Sequence, residues 1–260
     1  MNTTTTLIGV GALTLAVAAG ASADVNSNFE APSFSTGALT GQNGWYSPGT
    51  VPFTVHPYGS DPYGFAANPA GGQQFIVGNG DGNFGADARI DPDFSLQPMY
   101  DIAYDINIIN TGVGTSNNET GLMATSGPDS PRLLLNRHNN NPTETAWAIN
   151  LGVSGGTLEV ASELSYNHWY RVAWRVDYGA AEVLSFSLID LSNGMVSTTD
   201  LTGTSLLRPT GPLPTYFSIT DGSHQRHITA LDNVTITAIP APGAAAAIGL
   251  VGLAASRRRR

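Results

Sequence analysis

Cysteine and lysine are both missing from the 260 residues. Without cysteine there is no disulfide, no thiolate metal site and no sulfur nucleophile. Without lysine, all 11 basic residues are arginine, so Schiff-base and P-loop chemistry are excluded. Charge of either sign is scarce, at 12% of residues against about a quarter in ordinary domains. Positive charge is scarcest. Four of the 11 arginines are Arg257 to Arg260, leaving seven against 20 acidic residues elsewhere. A folded part this acidic lacks the basic surface that nucleic acid requires. No long amphipathic helical pattern is present either. What is abundant is glycine and proline, 30 and 16 residues. That suits a turn-rich β protein outside the cytoplasm.

The two ends have address-like patterns. Leu7 to Ala19 is apolar and runs into Ala21-Ser22-Ala23, a small-residue cleavage site of the A-x-A kind. Residues 1–23 therefore read as a secretory signal, with Asp24 as the first mature residue, although no arginine or lysine precedes the apolar run. At the other end, Pro240-Ala241-Pro242-Gly243 leads into an apolar run that ends at Ala255, just before the arginines. As a helix the run from Gly243 would measure about 20 Å, short of the roughly 20 residues that span a bilayer. Arginines at its end would hold that end on the cytoplasmic side. The physics describes a transient membrane segment with a positive stop.

This three-part tail, residues 240–260, resembles the PEP-CTERM sorting signal of exported bacterial proteins. Pro240, Pro242 and Gly243 form the motif, with alanine where that family has glutamate, and Arg257, Arg258, Arg259 and Arg260 form the cluster. The resemblance implies export machinery and an exosortase-like processing enzyme as partners, transient membrane contact through a short C-terminal helix, and a product at the cell surface or in the extracellular matrix.

Residues 24–239 read as one all-β domain, with no internal repeat and no linker. Ile102, Tyr104, Ile106 and Ile108 alternate with Ala103, Asp105 and Asn107. Tyr170, Val172, Trp174, Val176 and Tyr178 alternate with Arg171, Ala173, Arg175 and Asp177. Leu184, Phe186 and Leu188 alternate with serines, and Ile228, Ala230, Val234 and Ile236 share a parity with Asp232. Period-two alternation marks half-buried strands. Asn43-Gly44, Asn79-Gly80, Asp81-Gly82, Asn193-Gly194 and Asp221-Gly222 supply turns that accept positive φ. Many strands with regular turns predict an antiparallel β-sandwich or jelly roll. Three fragments sharpen this: Asn28-Phe29-Glu30 with Gly41-Gln42-Asn43-Gly44-Trp45, Trp169-Tyr170-Arg171-Val172, and Leu231-Asp232-Asn233-Val234. Together they resemble the concanavalin A-like, laminin-G-like jelly rolls of exported bacterial proteins.

In similar carbohydrate-binding modules an early glutamate and a late aspartate help to hold structural Ca²⁺, which points to Glu30 and Asp232 as metal ligands. Calcium takes carboxylate and carbonyl oxygens. Asp232 also sits on an apolar face, where a buried carboxylate needs a partner, and Arg226 or a backbone turn could serve instead. Residues 79–83 alternate oxygen donors, but Phe84 and Ile90 stand where an EF-hand loop needs glycine and glutamate, so a turn is expected. Gly152-Val153-Ser154-Gly155-Gly156 matches the nucleophile pattern, yet a strand-like segment follows it, which favours a hairpin. His224 and His227 lack the spacing context of a zinc site. A glycoside hydrolase needs two carboxylates about 5–9.5 Å apart, and Glu159 and Glu163, at about 13 Å on one strand, do not meet that. Sugar binding wants exposed aromatic faces, for which Trp45, Tyr46 and Trp147 in loop-like stretches are the candidates, with Tyr58 and Tyr63 nearby. Trp169 and Trp174 read as core. The polar stretch Arg137–Asn141 reads as a solvated loop.

The reading is an exported, non-catalytic jelly roll at the cell surface or in the matrix, with polysaccharide as its candidate ligand. A purely structural matrix protein and a glycoside hydrolase are its rivals.

Overall fold

A computed structural model describes residues 24–49, 51–78, 86–92, 94, 98–110, 117–123, 133–137, 145–153, 156–205, 214–221 and 227–239. The strands in chain order are β1 (Val25–Ser27), β2 (Gly37–Ala38), β3 (Val51–Pro52), β4 (Thr54–Pro57), β5 (Gln74–Gly78), β6 (Ala86–Ile90), β7 (Met99–Asn110) and β8 (Asn117–Met123). They continue with β9 (Leu133–Arg137), β10 (Ala146–Val153), β11 (Gly156–Ser165), β12 (Tyr170–Asp177), β13 (Glu182–Asp190), β14 (Val196–Ser205), β15 (Tyr216–Asp221) and β16 (His227–Ile239). Residues 1–23 and 240–260 lie outside the described residues, as do Asn79 to Asn83, Arg226 and His224. No helix among the described residues is long and apolar enough to cross a membrane.

Two sheets pack face to face as a jelly-roll β-sandwich. The nine-stranded sheet runs β14-β13-β12-β7-β16-β5-β4-β2, with β1 also paired to β16. The seven-stranded sheet runs β11-β10-β9-β8-β15-β6-β3. All pairings are antiparallel except β3 with β6. The last strand lies between β7 and the early strands β1 and β5. Chain closure is therefore built into the middle of the larger sheet.

The predicted alternation places the core. Tyr100, Ile102, Tyr104, Ile106 and Ile108 of β7 and Val172, Trp174 and Val176 of β12 face Trp147, Ile149, Phe217 and Ile219 of the other sheet. Burying a large apolar side chain contributes about 1.5–3 kcal/mol, so one such strand face outweighs any local propensity. The Tyr104 hydroxyl bonds Thr120 across the sandwich, and Tyr100 donates to the Phe94 carbonyl. Asn43-Gly44 makes a tight turn with positive φ at both positions, 46° and 84°, closed by Trp45 N donating to the Gln42 carbonyl at 2.9 Å. Val153 pairs with Gly156 at the β10–β11 hairpin. The strand β11 that follows has the wrong form for a nucleophile elbow, which requires a helix there.

One predicted face is corrected. Residues 228–236 do not share a single face, because Asn233 takes φ 51° and the β16–β7 register shifts between Asp232 and Thr235. A bulge inserts one residue and reverses the side-chain parity. Leu231, Val234 and Ile236 point into the sandwich. Ile228 and Ala230 belong instead to a second apolar cluster with Phe65, Phe75, Val77 and Trp169. That cluster lies on the outer side of the nine-stranded sheet, under residues 58–73, which cross the sheet as a strap.

Candidate functional site

The strap is pinned by named bonds. Trp169 Nε1 donates to the Ala66 carbonyl at 2.6 Å, and Asn167 holds Ala66 N and the Gly64 carbonyl. Tyr58 stacks on Phe75 with centroids 4.4 Å apart. Beneath the strap lie two cross-strand neighbours, Asp105 on β7 and Asp232 on β16, both 0% exposed. Asn68 Nδ2 donates to Asp105 at 2.8 Å and to Asp232 at 3.3 Å. Asn233 Nδ2 donates to Asp105 at 2.8 Å and to the Ala70 carbonyl at 3.1 Å. Tyr58 donates its hydroxyl to Asp232 at 3.1 Å. Burial pushes the Asp232 carboxyl up to about 7, against the bonds from Asn233, Tyr58 and Asn68 and with the help of the Asp105 charge. The Tyr58 hydroxyl is raised as well, by burial and then by Asp232.

Glu30 and Asp232, predicted together, are brought to the two sides of one glycine pair. A Cβ at Gly71 would collide with Asp232 Oδ2, and one at Gly72 with the Glu30 carboxylate. Glu30 Oε1 accepts from Gln73 N at 2.7 Å and Gln74 N at 2.9 Å. It thereby caps the start of β5, which with β1 lies along β16. Asp232 Oδ1 accepts from Asn233 N at 2.8 Å. The groups around both carboxylates are hydrogen-bond donors, and donors oppose a cation. The described residues also contain no group of three or more carboxylate or imidazole ligands placed to hold a metal. The Asp232 partners are thus Tyr58, Asn68 and Asn233.

Beside the strap the outer face of the same sheet is open. On β12 the arginines of the alternating pattern point outward, and each forks onto an aspartate of β7. Arg171 donates to Asp105 at 2.7 and 3.0 Å, and Arg175 to Asp101 at 2.7 and 2.6 Å. Hydrogen bonding to these carboxylates raises both guanidinium groups further above their usual range. Between the two pairs the register sets one row across five strands: Thr198, Ser187, Ala173, Ala103 and Thr235. Two methyl groups form its floor and hydroxyls its ends. The hollow there holds about 140 Å³, with Asp101, Arg175, Ser185, Ser187, Thr235 and Thr237 in its lining. It is shallower than the roughly 300–1,000 Å³ pockets that engulf a compact ligand. It suits contact with part of a chain. A larger hollow of about 420 Å³ lies by β1, but its Asp24, Asn28 and Asn43 are bonded to Ala238, Glu30 and Ser33.

The aromatic candidates need correction. Trp45 and Trp147 are 1% and 0% exposed. Trp45 packs on Phe29 and Phe217, and Trp147 on Tyr170, so neither offers a face to a ligand. Both flank turns in the sequence, yet their rings reach inward: Trp147 sits on the inner side of β10, and Trp45, just after the Asn43-Gly44 turn, is drawn into the core among Phe29 and Phe217. Tyr46 is half-buried and bridges Arg89 through its backbone. Asp101, Asp105, Arg171 and Arg175 were not singled out as functional from the sequence. Their signal was the matching period of the Asp101-Ile102-Ala103-Tyr104-Asp105 and Arg171-Val172-Ala173-Trp174-Arg175 segments, which becomes meaningful only when the strands pair.

No family model and no curated protein matches the chain. Solved structures do match its fold. The CBM2 module of the evolved Dit of Lactobacillus casei BL23 phage J-1 is 12% identical over 85% of this chain and 98% of its own, with a TM-score of 0.50. The exoplasmic/lumenal domain of VIP36, in its Ca²⁺/Man2-bound form, is 12% identical over 84% of this chain and 88% of its own, also at 0.50. At such identity the likeness shows the fold alone, a jelly-roll β-sandwich.

Proposed function

We propose that this protein is an exported, non-catalytic sandwich that binds polysaccharide at the cell surface or in the extracellular matrix. The observation that carries the reading is the trough on the nine-stranded sheet. Its apolar floor suits the C–H face of a sugar ring, while fixed guanidinium, carboxylate and hydroxyl groups around it match sugar hydroxyls, which donate and accept. The fold likeness to a CBM2 module and to VIP36 supports it by analogy of architecture only.

The same pairs argue against hydrolysis. A glycosidase needs one carboxyl free to give a proton and a second as base or nucleophile, about 5–5.5 or 6.5–9.5 Å away. Asp101 and Asp105 are four residues apart on one strand, about 13 Å. Each is held by a bidentate arginine that occupies both of its oxygens.

Purified protein incubated with a polysaccharide panel is expected to show saturable binding to at least one glycan class and no release of reducing ends. Folded protein that binds none of them would leave a purely structural matrix component, and reducing-end release would establish the hydrolase. Export rests on the leader at residues 1–23 and on the PEP-CTERM-like tail with its exosortase-like partner. Replacing Arg257 to Arg260 with neutral residues is expected to change membrane retention and mature mass. Unchanged fractionation would refute that sorting route. For calcium, the support is the Ca²⁺-bound state of VIP36, while the donors around Glu30 and Asp232 weigh against an ion at that pair. A Ca²⁺-dependent rise in Tm, lost in both Glu30→Ala and Asp232→Ala, is the result that would seat an ion there.

A further inference from the structure

The charge of the trough narrows its ligand. Each guanidinium spends two donors on two carboxylate oxygens, so each Arg–Asp pair is neutral as a unit. The Arg175–Asp101 pair is half open to solvent, with both side chains 46% exposed. It is therefore available to a ligand as a dipolar frame. The nine strands of this sheet contain no other arginine. They do carry further acids in the same outward rows: Asp177 opposite Glu182, and Asp200 opposite Ser185. Among the described residues the field over the trough is therefore neutral to negative, and the whole chain carries a net charge of −9. Anionic polymers are held by uncompensated arginine or lysine, and a like-signed surface repels them.

The rows also give a direction. The Ala173–Ala103 row lies between the Arg171–Asp105 and Arg175–Asp101 rows, which are about 13 Å apart along the strands. The row itself crosses five strands, about 19 Å at ~4.8 Å per strand. A chain fits lengthwise across the strands, with the exposed Arg175–Asp101 pair along one flank and the Arg171 guanidinium along the other. No aromatic ring belongs to the row, so hydrogen bonding to hydroxyl groups is what holds such a chain.

We infer that the trough takes an uncharged, hydroxyl-rich polysaccharide lying across β14 to β16, with the open Arg175–Asp101 pair acting as a hydrogen-bonding frame and not as an anion receptor, and with the Arg171 guanidinium, neutralised by the buried Asp105, on the other flank. The inference rests on the polysaccharide-binding reading above.

The test compares neutral polysaccharides with polyuronate and sulfated ones, at low and high salt, on the purified full chain. The expected result is saturable binding of a neutral glycan that salt leaves unchanged, and none of the anionic polymers. Ala173→Leu, which fills the floor, is expected to weaken it about tenfold, the equivalent of roughly 1.4 kcal/mol. Asp101→Asn leaves the Arg175 charge uncompensated. That variant is expected to gain salt-sensitive binding to polyuronate while its neutral binding falls. Wild-type protein that prefers polyuronate or sulfated glycan would overturn this inference and leave polysaccharide binding standing. Neutral binding that Ala173→Leu leaves intact in folded protein would place the site elsewhere. Folded protein that binds neither class would overturn both.

Discussion

Asp232 shows how one residue can carry a pH response. Its carboxyl is held up at about 7 in the fold, whereas an unfolded aspartate titrates near 3.9. Between those values the folded state binds the extra proton. Stability therefore falls as pH rises from about 4 to about 7 and levels off above that, by an amount on the order of 4 kcal/mol. Burial displaces Asp221 and Asp87 in the same direction. Asp232→Asn is therefore expected to reduce the slope in that window without abolishing it, as read from urea midpoints across a pH series. An unchanged slope would mean that Asp232 does not titrate there. Gly71 is coupled to the same carboxyl. Gly71→Ala places its methyl against Asp232 Oδ2, so a loss of about 1–3 kcal/mol is expected, measured by the same unfolding experiment.

At the scale of elements, β16 is two strands of opposite parity joined at Asn233. The first part hands Ile228 and Ala230 to the outer cluster, and the second returns Val234 and Ile236 to the main core. Deleting Asn233 would restore a continuous period and swap the faces of one part. Loss of cooperative folding is the expected outcome, with chemical denaturation as the check. The strap is tied to the sheet by fewer groups. Trp169 contributes both its ring to the outer cluster and its N–H to Ala66. Trp169→Ala is expected to cost about 3–5 kcal/mol and to speed proteolytic cleavage between Gly59 and Gly72. Cleavage at the wild-type rate would show that the strap is held without it. The alternation of β7 and β12 was legible because each turns one face to a single core, whereas in β13 a register shift between Val183 and Ser185 turns Val183 inward in place of the expected Leu184, leaving Phe186 and Leu188 as read. The bulge of β16 was not legible, since Leu-Asp-Asn-Val contains no residue that demands positive φ. It forms because β1 and β5 meet end to end along β16 at that point, with Glu30 capping the junction.

For the whole molecule, the sandwich places the strap and the trough on one side of one sheet. The Arg171–Asp105 pair belongs to both, since Asp105 lies under the strap and Arg171 flanks the open row. Weakening the strap should therefore also weaken glycan binding. Trp169→Ala assayed below its unfolding transition is expected to bind the neutral glycan several-fold less tightly than wild type. Equal affinity would separate the two regions. The sequence alone determined the class of fold, the inward faces of β7 and β12, and the exclusion of thiol and lysine chemistry. These follow from composition and from local period, which one strand expresses by itself. Only the tertiary structure decided that Trp45 and Trp147 are core, that Asp232 answers to Tyr58 and Asn68, and that Asp101, Asp105, Arg171 and Arg175 frame a trough. Those facts depend on which strands lie side by side and in what register, and register is settled by packing between residues far apart in the chain.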